Sequence, residues 1–299
     1  KLESAPEKVP EEGEVHRFLP MALAGLLLLP LLQTSATEPP ALASPWYGES
    51  HTRARLIGGG PAADGPPDAI AVGIEIAISE GWKTYWRHPG SSGVPPLFDW
   101  SSSSNLASAD VRYPAPSRYS DRDGDVIGYK GHLIVPVAVR PRDPTREVML
   151  SLGLEYGVCK EICIPVQTRL ELALPAGAKN SPIADELARA FDRVPRPLTA
   201  RRPLDPDLHE VKVKLDGDKP AIRLIATFPG GAERADLFAE APAGLWIPMA
   251  KPAGAPRGET ASFIIDLSEG AEIADLRGKI VRITLVSPHG QSETSLRLD

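Results

Sequence analysis

Apolar and polar positions alternate with a period of two through much of this chain. Ala69–Ser79 (AIAVGIEIAIS), Gly131–Arg140 (GHLIVPVAVR), Val148–Tyr156 (VMLSLGLEY) and Thr168–Leu174 (TRLELAL) place an apolar side chain at nearly every second residue. That is the pattern of strands with one buried face. Turn-rich stretches intervene, among them His88–Pro96 (HPGSSGVPP) and Ser120–Asp125 (SDRDGD). Short strands without intervening helices predict an all-β, antiparallel sandwich.

Asn180–Val194 (NSPIADELARAFDRV) breaks the pattern. Ser181 is placed to cap a helix, Pro182 suits its first position, and Ile183, Leu187, Ala190 and Phe191 share one apolar face. The Pro- and Arg-rich run Pro195–Asp207 then reads as a linker. Strand patterns resume from His209, in Glu210–Gly217, Ala221–Phe228, Thr260–Leu267, Lys279–Val286 and Thr294–Asp299, and predict a second sandwich.

The N-terminus reads as a targeting segment. Arg17 precedes the apolar run Phe18–Leu32, and Ala41-Leu42-Ala43 forms an A-x-A cleavage motif before Ser44. The run is shorter than the roughly 20 residues a bilayer span requires and is interrupted by Pro20 and Pro30. The acidic residues before it do not suit a signal's n-region, so the reading expects initiation near Val15. The expected organisation is therefore a signal at 1–43, a first domain at 44–178, helix and linker at 179–207, and a second domain at 208–299.

Composition narrows the function. The 299 residues suffice for two domains, and 32 Pro with 26 Gly favour turns and short strands. A net charge of −6, with no Lys/Arg cluster, argues against nucleic acid as a partner. Eleven of the 17 aromatic residues lie between Trp46 and Tyr156, so the first domain carries most of the rigid recognition surface. Ile57–Pro61 (IGGGP) lacks the context of a phosphate loop and reads as a turn. GSSG at Gly90–Gly93 is no nucleophile elbow, and the six histidines show no ligand spacing. No cofactor or metal is expected from these motifs.

Only two cysteines occur, Cys159 and Cys163, within EYGVCKEICIPVQ (Glu155–Gln167). Zinc needs about four ligands; a two-thiolate copper(I) site remains chemically open. A structural bridge is weakly motivated, because closing a five-residue loop stabilises by only about 2 kcal/mol, against roughly 4–5 for a loop near 100 residues. Redox exchange suits the spacing better, since a mixed disulfide must be resolved by a second thiol nearby. Glu155 and Tyr156 precede the pair. Lys160 is placed to favour a thiolate and Glu161 to oppose it, and Pro165 restricts how the chain leaves the turn.

The segments GWKTYWRHPGSSGVPPLFDW (Gly81–Trp100), IGYKGHLIVPV (Ile127–Val137) and EYGVCKEICIPVQTRLEL (Glu155–Leu172), in that order, resemble the periplasmic N-terminal domain of the DsbD disulfide-reductase family, closest to its ScsB-like subgroup. The resemblance covers most of residues 45–175. It implies immunoglobulin-like sandwiches and a dithiol that relays electrons, with the family cysteines mapping onto Cys159 and Cys163. It also implies a membrane-embedded donor of the CcdA/DsbD type, here expected in trans, and a periplasmic thioredoxin-like acceptor. The family's aromatic cap loop has no motif that aligns, and Tyr119, Tyr129 and Tyr156 are candidates for shielding the thiols. By the same analogy Cys163 faces the partner. The alternatives are a secreted, non-enzymatic interaction module with a fixed disulfide, and copper(I) binding.

Overall fold

A computed structural model describes residues 42–49, 51–62, 65–90, 92–121, 124–178 and 181–299. The signal expected over residues 1–43 falls outside these up to residue 41, as does Asn180 at the expected helix start. Leu42 and Ala43 pair with Gly58 and Ile57, so a cut before Ser44 would detach a paired strand. No helix among the described residues is long and apolar enough to cross a membrane.

Twelve strands build the first sandwich: β1 (Leu42–Ala43), β2 (Tyr47–Glu49), β3 (Thr52–Pro61), β4 (Ile70–Ile78), β5 (Lys83–Gly90), β6 (Leu97–Asp99), β7 (Leu106–Val111), β8 (Ser117–Asp121), β9 (Gly124–Tyr129), β10 (His132–Pro141), β11 (Val148–Cys159) and β12 (Cys163–Leu174). One six-stranded sheet runs β1-β3-β4-β10-β7, with β2 on β3; the other runs β12-β11-β5-β9-β8, with β6 on β11. The IGGGP stretch is not a turn, as its composition suggested. It ends β3 in a bulge between Gly58 and Pro61, where Gly59 and Gly60 take φ of 117° and 93°, a region closed to most side chains.

β4 shows why the helix lies where it does. Ile70, Val72, Ile74, Ile76 and Ile78 point into the sandwich, while the opposite face carries the small Ala71 and Gly73. That face accepts α1 (Ala184–Asp192), whose Leu187, Ala190 and Phe191 pack with Ile57, Ala71, Ile134 and Ala138. A Cβ on Gly73 would come within 2.8 Å of both Leu187 Cδ2 and Ile134 Cγ2, so glycine permits the close approach. The helix is shorter than its apolar pattern suggested, because Ser181–Ile183 form a preceding turn in which Ser181 Oγ accepts the Ile183 N–H.

The Pro- and Arg-rich run is built into the fold. Its β13 (Arg196–Pro197) pairs in parallel with a strand of the second sandwich, and buried Asp205 accepts the Arg202 N–H at 2.8 Å. The second sandwich contains β14 (Asp207–Lys214), β15 (Ala221–Thr227), β16 (Asp236–Glu240), β17 (Lys251–Pro252), β18 (Thr260–Asp266), α2 (Ile273–Leu276), β19 (Ile280–Val286) and β20 (Gln291–Arg297). Its four-stranded sheets run β13-β20-β19-β16 and β14-β15-β18-β17. Phe228, Phe263, Leu224, Ile265 and Ile283 fill its core.

Residues 38–299 form one compact unit. Phe238, on β16, is buried with the core of the first sandwich, its ring 5.7 Å from that of Trp86. Arg87 makes a two-pronged bond to Glu240, with Nε 2.8 Å and Nη2 2.7 Å from its oxygens, and also bonds Glu293. Burial alone would lower the Arg87 pKa, but the hydrogen bonds and charges of these two carboxylates raise it. Arg118 donates to Asp236 at 2.7 and 2.9 Å and to the Ala250 carbonyl at 2.9 Å.

Candidate functional site

Strand parity sets the disulfide on the outer face of its sheet. Along β11, Val148, Leu150, Leu152, Leu154, Tyr156 and Val158 are buried in the core, so Cys159 points the other way. The two cysteines lie at the ends of the strands themselves, not in a loop between shorter ones. The pattern-based strands extend to meet them, and Cys159 pairs directly with Cys163 across the hairpin. Lys160, Glu161 and Ile162 make the tip. The S–S bond closes the last pair of the ladder.

The two sulfurs have different surroundings. Cys159 is 3% exposed and packs with Tyr85, Val126 and Tyr119, while Cys163 is exposed on the edge strand β12. The Tyr85 hydroxyl donates to Cys159 Sγ at 2.8 Å and lies 3.4 Å from Cys163 Sγ. β5 places it there: Thr84 pairs with Val158, so Tyr85 comes opposite side-chain-free Gly157 on the outer face. Buried Lys83 stands directly across from Cys159. The chain beyond β5 then folds back, and a Cβ on Gly93 (φ 122°) would run into the Tyr85 ring.

Exposed apolar side chains surround the accessible sulfur: Val94 (62% exposed), Leu97 (59%) and Ile162 (67%). A cleft of about 320 Å³, lined by Val94, Pro95, Leu97, Cys163, Pro165 and Val166 among others, opens beside it. A larger groove of about 620 Å³, lined by Tyr47, His51, Thr52, Ile164 and Thr168 among others, flanks the same hairpin.

The other expected residues are distributed as follows. Glu155 is exposed, pairs with Leu97 and Gln167, and borders the cleft. The Lys160 side chain folds over Gly81, and Glu161 is exposed at the tip. Pro165 lies within β12 opposite Gly157, on an edge strand that tolerates its missing N–H. Tyr119 packs against the cluster of Tyr85, Val126 and Cys159, stacked under the Lys130 ammonium 4.3 Å from its ring. Tyr129 and Tyr156 do not: both point into the core, where their hydroxyls bond the Pro114 carbonyl at 2.7 Å and Thr52 at 2.8 Å. Burial raises both phenol pKa values. Sequence reasoning missed Tyr85 and Lys83, although both lie in the quoted segment Gly81–Trp100. The signal that finds Tyr85 is a register, β5 against β11.

Among the described residues one cluster has metal-like spacing: Glu75, His132 and Glu186, with ligand atoms within 4.8 Å of one another. Glu75 is already engaged there by Arg55 Nε at 2.5 Å and His132 Nε2 at 2.7 Å.

Comparison with known proteins places this geometry. Residues 54–175 match the family described as thiol:disulfide interchange protein DsbD, N-terminal. The crystal structure of the N-terminal periplasmic domain of ScsB from Proteus mirabilis superposes with a TM-score of 0.65 at 20% identity, covering 86% of this chain and 98% of that one. A marsupial T cell receptor aligns over 85% of this chain and 99% of its own at 10% identity, but its TM-score of 0.22 carries no argument. No curated protein matches the sequence. Both sandwiches thus share the fold of the ScsB N-terminal periplasmic domain, and residues 54–175, which hold the disulfide, match the DsbD N-terminal family.

Proposed function

We propose that this chain is a periplasmic thiol–disulfide exchanger that relays electron pairs through Cys159 and Cys163. The donor is a membrane-embedded protein of the CcdA/DsbD type supplied in trans, and the acceptor is a periplasmic thioredoxin-like protein. The observation that carries this reading is the asymmetry of the pair: one sulfur exposed within an apolar rim, the other buried against a phenol hydroxyl.

Loading begins when a donor thiolate attacks Cys163 Sγ, the sulfur it can reach. The Cys159–Cys163 bond breaks, a mixed disulfide forms at Cys163, and the electron pair passes to Cys159 Sγ. Tyr85 donates a hydrogen bond to that sulfur, where negative charge collects. The donor's second thiolate then attacks its own sulfur in the mixed disulfide, leaving as a disulfide and releasing Cys163 as a thiolate. Two electrons have moved, and two protons from solvent complete the dithiol. Delivery reverses the order. The Cys163 thiolate attacks the acceptor's disulfide, Cys159 resolves the mixed disulfide, and the acceptor departs as a dithiol.

Equilibration of the pair in glutathione and dithiothreitol buffers, read by thiol labelling, tests the reading. A potential within the oxidoreductase range of roughly −120 to −270 mV is expected; one well below about −300 mV would mark a structural bridge and overturn the proposal. Trapping assigns the roles. Cys159→Ala should accumulate mixed disulfides through Cys163, and Cys163→Ala should accumulate none.

A further inference from the structure

The strand that presents Tyr85 to the sulfurs is in register with its own sheet at its start and again only at its end. β5 makes two register pairs with β11, at Lys83 and Thr84, and two with β9, at Thr84 and Tyr85. Its register with β9 is then interrupted until Gly90. Over that interruption the chain is held by the second sandwich. Trp86 turns into the core beside Phe238, and Arg87, stacked 4.5 Å over the Trp86 ring, is gripped by Glu240 and Glu293. Gly90 also lies close to Met249, whose sulfur would be 3.2 Å from a Cβ placed there.

We infer that the second sandwich tunes the redox pair: by clasping Trp86 and Arg87 it holds Tyr85 over Cys159, which makes Arg87 a positioning residue for exchange. The inference rests on the exchange reading above and adds a role for the second sandwich. Loosening the clasp has two opposed effects on disulfide reduction. It opens the wall over Cys159, and it withdraws the hydroxyl that bonds the departing thiolate. The second effect wins, because the attacked sulfur, Cys163, is already exposed and gains nothing from the opening.

The test compares full-length variants by the rate at which dithiothreitol reduces the disulfide across a pH series, with melting temperature read in parallel. Glu240→Gln/Glu293→Gln weakens the clasp while keeping the shape of both partners. Tyr85→Phe removes the hydroxyl. Asp236→Asn weakens the other ion pair between the sandwiches, at Arg118, without touching β5.

Tyr85→Phe should slow reduction about tenfold, the scale of one hydrogen bond to a charged group. It should also raise the apparent pKa of Cys159 in the reduced protein. The clasp variant should slow reduction about threefold to tenfold, with a pKa change in the same direction. Combined with Tyr85→Phe it should slow it no further. Arg87→Lys, which keeps the charge, should recover part of the rate relative to Arg87→Ala. Asp236→Asn should lower the melting temperature and leave the rate unchanged.

A clasp variant that melts earlier but reacts at the wild-type rate overturns the inference. So does a clasp effect that persists in full in the Tyr85→Phe background, or an equal slowing by Asp236→Asn. Because dithiothreitol attacks any accessible disulfide, these ratios are readable even if the potential in glutathione falls outside the exchanger range. That result would sink the exchange reading and leave the mechanical coupling to be judged on its own.

Discussion

The hairpins β11–β12 and β19–β20 are built alike and closed differently. In the second, four residues turn the chain at Ser287–Gly290, and Ser287 closes the end: its Oγ accepts the N–H groups of His289 and Gly290 at 3.2 Å, and its N–H donates to the Gly290 carbonyl at 2.9 Å. Ser287 and Gly290 are buried, and Asp205 accepts the Gln291 N–H alongside. In the first, three residues turn the chain and a disulfide closes it, yet Lys160, Glu161, Ile162 and Cys163 are all exposed. A hairpin end therefore needs no covalent bond in this protein. The bond occurs where solvent reaches it and where, by loop length, it has least to stabilise. Such a placement suits a bond that is made and broken.

That contrast can be broken most directly at the cysteines. Cys159→Ser/Cys163→Ser should abolish exchange while lowering stability by no more than about 2 kcal/mol, measured by chemical denaturation. A loss several times larger would make the bridge a staple. Ser287→Ala supplies the converse: a loss of about 1–3 kcal/mol from buried groups left unpaired, with the exchange rate unchanged.

A smaller change sharpens the first hairpin. Gly93→Ala strains a residue at φ 122° by on the order of 1–2 kcal/mol and forces its Cβ against Tyr85. Disulfide reduction should slow as the ring is displaced; an unchanged rate would mean that the loop yields instead. The smallest effect is a pH dependence between the sandwiches. Burial lowers the His88 pKa below its usual 6.5, so folding favours its neutral form. Below pH 6.5 the unfolded chain takes up a proton that the folded chain resists. The stability is thus complete above 6.5 and declines as pH falls through 6.5 toward the folded value. Melting temperature should drop more between pH 7 and 5 in the wild type than in His88→Asn, with the hairpin disulfide intact in both.

Alternation along the chain was sufficient to find β4, β10, β11 and, in the second sandwich, β14, β15, β18, β19 and most of β20, because each buries one regular face; it did not find β13, β16 or β17. Nor did it find β5. In KTYWRHPG, Tyr85 is buried on the outer face with Lys83, while polar Thr84 shares the inner face with Trp86, so polarity does not alternate with the pleat. It misread IGGGP, since glycine at a bulge and glycine at a turn look the same in sequence. The cysteines were visible, and the parity that turns Cys159 outward was already present in VMLSLGLEYGVC. The same parity would have excluded Tyr156 as a shield; Tyr129 lies on β9, whose adjacent Val126 and Ile127 show no alternation. Which sulfur is exposed depends on β12 being an edge strand, and Tyr85 depends on the pairing of β5 with β11. Arg87 meets carboxylates 153 and 206 residues away, and no local pattern encodes that contact.

The family match ends at Pro175, but the hydrophobic cluster it encloses does not. Phe238 completes that cluster from the far side of the Pro-rich run. A fragment cut at the homology boundary would leave Trp86 facing an empty socket and Arg87 without its two carboxylates. The missing ring alone costs about 3–5 kcal/mol by comparison with large-to-small core substitutions. What is inherited as a module and what melts as a cooperative whole are here two different lengths of chain.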